Sequence, residues 1–122
     1  MTKVVMLARA GAWPALLAII VLSVVPGTMR PHLLGNDRAE HFVAYLIAGS
    51  LFATGYLRPS QLLLSGVLLT ICAGALEVVQ LLIPGRLASP RDFIASAAGI
   101  WTGFLVAVAI RRMHGRLFVI AD

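Results

Sequence analysis

The chain has 122 residues, 60% of them apolar and 12% charged, with a formal net charge of +5. A soluble domain of this length keeps too much of its surface in water to hide so large an apolar fraction, so lipid is the expected solvent for most of it. The charge does not point to nucleic acid, because the arginines fall mainly between apolar runs and no basic cluster is interleaved with exposed aromatics.

The first helix is expected over about residues 6–25, with Arg9 snorkelling to the headgroups and Trp13 at the interface. A cleaved signal peptide is the rival reading. It is disfavoured because Ser23-Val24-Val25-Pro26 is a poor cleavage site. Arg30, Pro31, His32 and Gly35 mark the following stretch as a loop. The second helix is expected over about 38–57, with Asp37 as N-cap and Glu40 at the third position. Its Gly49 and Ala53 form a small-x-x-x-small face. Pro59 stops it, and the third helix follows over about 61–83, carrying Cys72, Glu77 and Gln80 before Pro84-Gly85 ends it. Cys72 is the only cysteine, so an intramolecular disulfide and a cysteine-type zinc site are excluded.

The fourth helix is expected over about 90–110. Ser89 caps it, Pro90 takes its first position and Asp92 closes a capping box. Gly99 and Gly103 give it a packing face through which a homo-oligomer could form. Arg111, Arg112, His114 and Arg116 follow, then a short apolar tail to Asp122.

The fold class is therefore an all-α membrane protein of one domain, with four transmembrane helices in an antiparallel bundle. Lys3, Arg9, Arg58, Arg111, Arg112 and Arg116 gather on one side; Arg30, Arg38, Arg86 and Arg91 gather on the other, among Asp37, Glu40 and Asp92. The positive-inside rule then places both termini in the cytoplasm.

With that topology the informative polar residues meet at the outer face. Asp37 and His41 share one face of the second helix, and Glu77 and Gln80 share one of the third. Arg86 and Arg91 lie in the outer loop, and Asp92 opens the fourth helix. Each has a structural alternative: caps for Asp37 and Asp92, solvated charges for Arg86 and Arg91, inter-helix hydrogen bonds for His41 and Gln80. Glu77 has no capping explanation, since it sits about 10 Å inside the expected helix end. A carboxylate in lipid costs at least ~2.5–3.5 kcal/mol on the insertion scale, so it needs a partner or a purpose. Glu77 is either protonated and hydrogen-bonded, or ionised and paired with His41, Arg86 or Arg91.

The order of these motifs resembles the VanZ-like family of small bacterial membrane proteins. The resemblance rests on Asp37-Arg38-Ala39-Glu40-His41-Phe42, then Glu77 and Gln80, Pro84-Gly85-Arg86, Asp92 and Gly99, and it covers residues 37–103. One departure is Ser96, where the family usually has Asn. The resemblance implies a multi-pass protein of the bacterial inner membrane in a cell-envelope or glycopeptide-antibiotic context. It supplies no reaction.

Three functions compete. The first is an accessory role in which the pocket binds an anionic envelope lipid or lipid-linked precursor, with Arg86 and Arg91 on phosphate. The second is an enzyme acting on such a lipid through His41 and Glu77 as general acid/base. The third is a proton-linked small transporter or a structural subunit. No cofactor is expected, and the ligand spacing matches no strong metal signature.

Overall fold

The computed structural model describes residues 2–119, with side chains over 3–115. The Arg116 side chain, counted in the charge tally above, and residues 120–122 of the tail lie outside the described residues. Within them the chain is all-helical: α1 (Thr2–Val24), α2 (Asp37–Gly55), α3 (Pro59–Gln80) and α4 (Pro90–Val119), with a single 3₁₀ turn at Gly27–Met29.

Three of the four helices are long and apolar enough to cross a membrane, over Lys3–Val24, Pro59–Gln80 and Pro90–Gly115. The exception is α2, whose first turns carry Asp37, Arg38, Glu40 and His41. It is also the central helix, packing most extensively on α4 and next on α1. Its buried residues Tyr45, Ala48, Gly49, Phe52 and Ala53 recur at i, i+3, i+4, i+7 and i+8, one broad stripe that meets both α4 and α1. The outer helices bury narrower stripes, such as Gly66, Leu69, Ala73, Glu77 and Gln80 along α3. Large apolar side chains such as Leu64, Leu68 and Ile71 on α3 and Leu105 on α4 remain exposed.

Helix ends depart from expectation in two informative places. The last turn of α3 tightens, with the Leu81, Leu82 and Ile83 N–H groups each donating three residues back to Val78, Val79 and Gln80. This i→i−3 pattern ends the helix at Gln80, before Pro84 is reached. Glu77 thus lies in the last turn rather than well inside the span. In the other direction α4 continues past 110 to Val119, since Arg, Met and Leu are good helix formers and no proline intervenes.

The α2–α4 contact is backbone on backbone. A Cβ on Gly49 would lie 2.6 Å from the Ile100 carbonyl oxygen, and one on Gly103 would lie 2.5 Å from that of Leu46. A Cβ on Gly99 would overlap the Phe42 carbonyl. The Gly99/Gly103 face, expected to be open to a second copy, is covered by α2 of the same chain.

Two arginines tie neighbouring helix ends together at opposite ends of the bundle. Arg9 of α1 donates to the Gly55 carbonyl at the end of α2, at 3.2 and 2.8 Å, and lies over the Tyr56 ring. Arg86, after α3, donates to the Val25 carbonyl at 3.0 Å and to that of Leu22, at the end of α1. Both satisfy carbonyls that a helix C-terminus leaves without partners. The loops at the Arg86 end also dock on each other: the Gly27 N–H donates to the Pro84 carbonyl at 3.1 Å. Gly85 beside it has φ +73°, a conformation that suits glycine.

Candidate functional site

The residues that matter chemically converge where α2 and α4 begin and α3 ends. His41 stands one turn into α2, Glu77 in the last turn of α3, and Asp92 in the first turn of α4. One ligating atom from each lies within 4.8 Å of the other two. All three are largely buried, with Glu77 9% and Asp92 8% exposed.

Local capping explains how Asp92 comes to face this cluster. Ser89 caps α4 as its sequence predicts, its hydroxyl accepting from the Arg91 N–H at 3.2 Å. The expected capping box would return the Ser89 N–H to Asp92. Instead that N–H donates to Glu77 Oε2 at 3.1 Å, so the box is completed from α3. The Asp92 carboxylate is released from capping, and its nearest cation is Arg38, with Nε 4.0 Å from Oδ1. Glu77 thereby gains a structural role that the sequence alone could not assign.

The other Glu77 oxygen lies 3.8 Å from His41 Nδ1. The same nitrogen is 3.1 Å from Ser96 Oγ. Ser96 is 1% exposed and donates its hydroxyl to the Asp92 carbonyl at 3.0 Å, which leaves its oxygen to accept from the imidazole. A nucleophile relay would need serine and carboxylate on opposite ring nitrogens. Here both approach Nδ1, so the arrangement orients His41 rather than activating Ser96.

The remaining predicted residues separate into two groups. Gln80 is 3% exposed and donates to the Ser23 carbonyl at 3.2 Å, tying α3 to α1. Arg86 reaches the same region but serves the α1 carbonyls and makes no ion pair with Glu77. Burial, with Arg30 nearby, lowers its guanidinium pKa from the ordinary value. Asp37 is not the N-cap of α2; Asn36 is, accepting from the Arg38 and Ala39 N–H groups at 3.0 and 3.4 Å. Asp37 instead pairs with Arg30 at 3.2 Å. Glu40 accepts from Arg30 at 2.6 Å and from the Leu33 and Leu34 N–H groups at 2.7 and 3.0 Å, which fixes the loop before α2. Arg91 is exposed and borders none of the clefts described below.

Sequence reading overlooked Arg30, which looked like one more loop charge. Its signal was the pair of carboxylates seven and ten residues on, within reach only after the loop folds back.

Two concavities adjoin the cluster. One, of about 330 Å³, runs between α1 and α2; Ile19, Leu22, Val43 and Ile47 form its apolar body, and Arg30, Glu40, His41, Gln80 and Arg86 its polar end. The other, of about 80 Å³, is polar and bordered by Arg30, His32, Asp37, His41, Arg86 and Asp92. His41 borders both. No protein-family model matches this chain, and no curated protein or solved structure matches it.

Proposed function

We propose that the chain is a multi-pass protein of the bacterial inner membrane that binds a phosphate-bearing envelope lipid, or a lipid-linked precursor, in an accessory role. In this reading all four helices span antiparallel, both termini are cytoplasmic and the polar cluster faces outward. The 19 residues of α2 make about 28 Å of helix, and its polar first turn lies level with the other helix ends, near the headgroups. The VanZ-like motif order adds the envelope setting.

The observation that carries the proposal is the two-ended cleft of about 330 Å³ between α1 and α2. Its apolar body suits an acyl or polyprenyl chain. Its polar end presents two guanidiniums, and each has N–H groups beyond those already donating. A phosphate there meets guanidiniums held in place by the Asp37, Glu40, Leu22 and Val25 oxygens, and hydrogen bonds between charged groups are among the stronger ones.

Native mass spectrometry of the gently purified chain tests this. Anionic lipid should co-purify, and Arg86→Gln should reduce it by at least about tenfold, the equivalent of one ~1.4 kcal/mol contact. Arg91→Ala should leave it unchanged. Equal lipid in Arg86→Gln and the parent overturns the proposal. A second reading, an enzyme acting on the same lipid, is favoured by one observation: His41 borders the cleft with Glu77 3.8 Å behind it. Turnover of a labelled phospholipid that His41→Ala removes would select that reading; no turnover in the parent rejects it.

A further inference from the structure

We propose that His41, Glu77 and Asp92 form a site for one divalent transition-metal ion of the zinc or manganese class, held between α2, α3 and α4. The three donors come from three helices, so the site exists only in the folded bundle. Their ligating atoms lie within 4.8 Å of one another. Metal–ligand bonds of about 2.0–2.2 Å put ligand atoms roughly 3–4.4 Å apart, so a small rotamer adjustment closes the set.

The electrostatics call for a cation at this point. Two carboxylates are buried side by side, which is costly without a counter-charge. Arg86 is engaged with the Leu22 and Val25 carbonyls, and Arg30 with Asp37 and Glu40. Arg38 approaches Asp92 only to 4.0 Å, and its side chain is 56% exposed.

Asp92 supplies an independent observation. Its side chain is 11% exposed, and among the described residues its carboxylate meets only the Arg38 guanidinium, at 4.0 Å. The backbone N–H that should have satisfied it is taken by Glu77. Its carboxylate therefore borders the 80 Å³ polar cavity with acceptor capacity unused. Arg30 and Arg86 border the same cavity and Glu77 does not, so the ion's place is between the three ligand side chains at the cavity edge, not within that volume.

The Ser89 N–H holds the second oxygen of Glu77, as an outer-shell partner of a metal ligand does. His41 Nδ1 faces both Ser96 and Glu77, so binding an ion there deprotonates it and replaces its hydrogen bond to Ser96. Donor chemistry selects the ion. A neutral imidazole nitrogen favours zinc and other transition ions over magnesium or calcium, and two carboxylates suit manganese and balance a charge of about +2. The other His/carboxylate group, His32, Asp37 and Glu40, does not qualify. It is more exposed, and its carboxylates already accept from Arg30, Leu33 and Leu34. A divalent ion beside the lipid cleft would also neutralise a bound phosphate. That link rests on the lipid reading, whereas the metal site itself does not.

The test uses the full chain in detergent, carrying a histidine-free affinity tag, stripped with chelator and titrated with Zn²⁺ or Mn²⁺ alone by calorimetry. One ion per chain is expected. Asp92→Asn and Glu77→Gln should each weaken binding by at least about 100-fold, and His32→Ala should leave it unchanged. X-ray absorption of the loaded protein should show a nitrogen/oxygen shell containing imidazole. Glu77→Gln keeps an oxygen for the Ser89 N–H, so it provides a folded comparison if Asp92→Asn does not accumulate. Binding below half an ion per chain, or equal affinity in Glu77→Gln, overturns the proposal. Because no lipid is present, either outcome leaves the lipid-binding reading to its own test.

Discussion

Gly99→Leu is expected to leave no folded protein in detergent extracts, the largest effect of any single substitution in the bundle. The position faces the backbone of α2, where even a methyl group would overlap the Phe42 carbonyl and approach the Leu46 nitrogen to 3.0 Å. Neither obstacle is a flexible side chain, so relief requires separating two helices along their contact. Packing of this type relies on small residues because lipid offers apolar side chains no advantage over each other. Gly99→Ala should already cost about 1–3 kcal/mol by overpacking. The damage would spread to the site, since His41 and Ser96 meet within one turn of this contact. Fluorescence-detected size exclusion and thermal unfolding measure both variants. Gly115→Ala is the control, because a Cβ there meets nothing within 4 Å. An unshifted unfolding midpoint in Gly99→Leu would show that α2 and α4 do not pack as described.

Glu77→Ala should have the next largest effect, and comparison with Glu77→Gln separates its two roles. Alanine removes the acceptor of the Ser89 N–H and leaves the start of α4 without its cross-helix cap. An unsatisfied buried donor costs about 1–3 kcal/mol. Glutamine retains an oxygen for that hydrogen bond but removes the charge facing His41 and Asp92. Glu77→Gln should therefore unfold near the parent temperature while losing ligand affinity, and Glu77→Ala should lose both. Equal destabilisation of the two variants would mean that the charge, not the hydrogen bond, supports the fold.

The polar cluster was largely legible before folding because a charge in an apolar run demands an explanation. Glu77 stood out for that reason, but the Pro84-Gly85 break put it about 10 Å inside the expected helix end, whereas the helix stops at Gln80 and leaves it in the last turn. Its partner was harder to read. Arg86 was the natural candidate on charge, but the unsatisfied carbonyls of α1 claim the guanidinium, a contact 61 residues away in sequence. Asp37 and Glu40 were read as helix-start residues; the N-cap falls one position earlier at Asn36, and Arg30 takes both carboxylates. Arg91 looked equivalent to Arg86 by position in the loop, but Ser89 and Pro90 start α4 beneath it and leave it exposed.

The sequence by itself determined that the chain is helical and too apolar for water, where its turns fall, and which charges required a partner. These follow from local chemistry: apolar run length, proline and glycine punctuation, and the cost of an ionised group away from water. Only the tertiary structure decided which partner each received. The hydrogen-bond partners of Glu77, Gln80 and Arg86 lie 12 to 64 positions away, and no local pattern encodes those pairings. The same holds for Gly99 and Gly103. A small-residue face states that some backbone comes close, and only packing shows that the backbone belongs to α2.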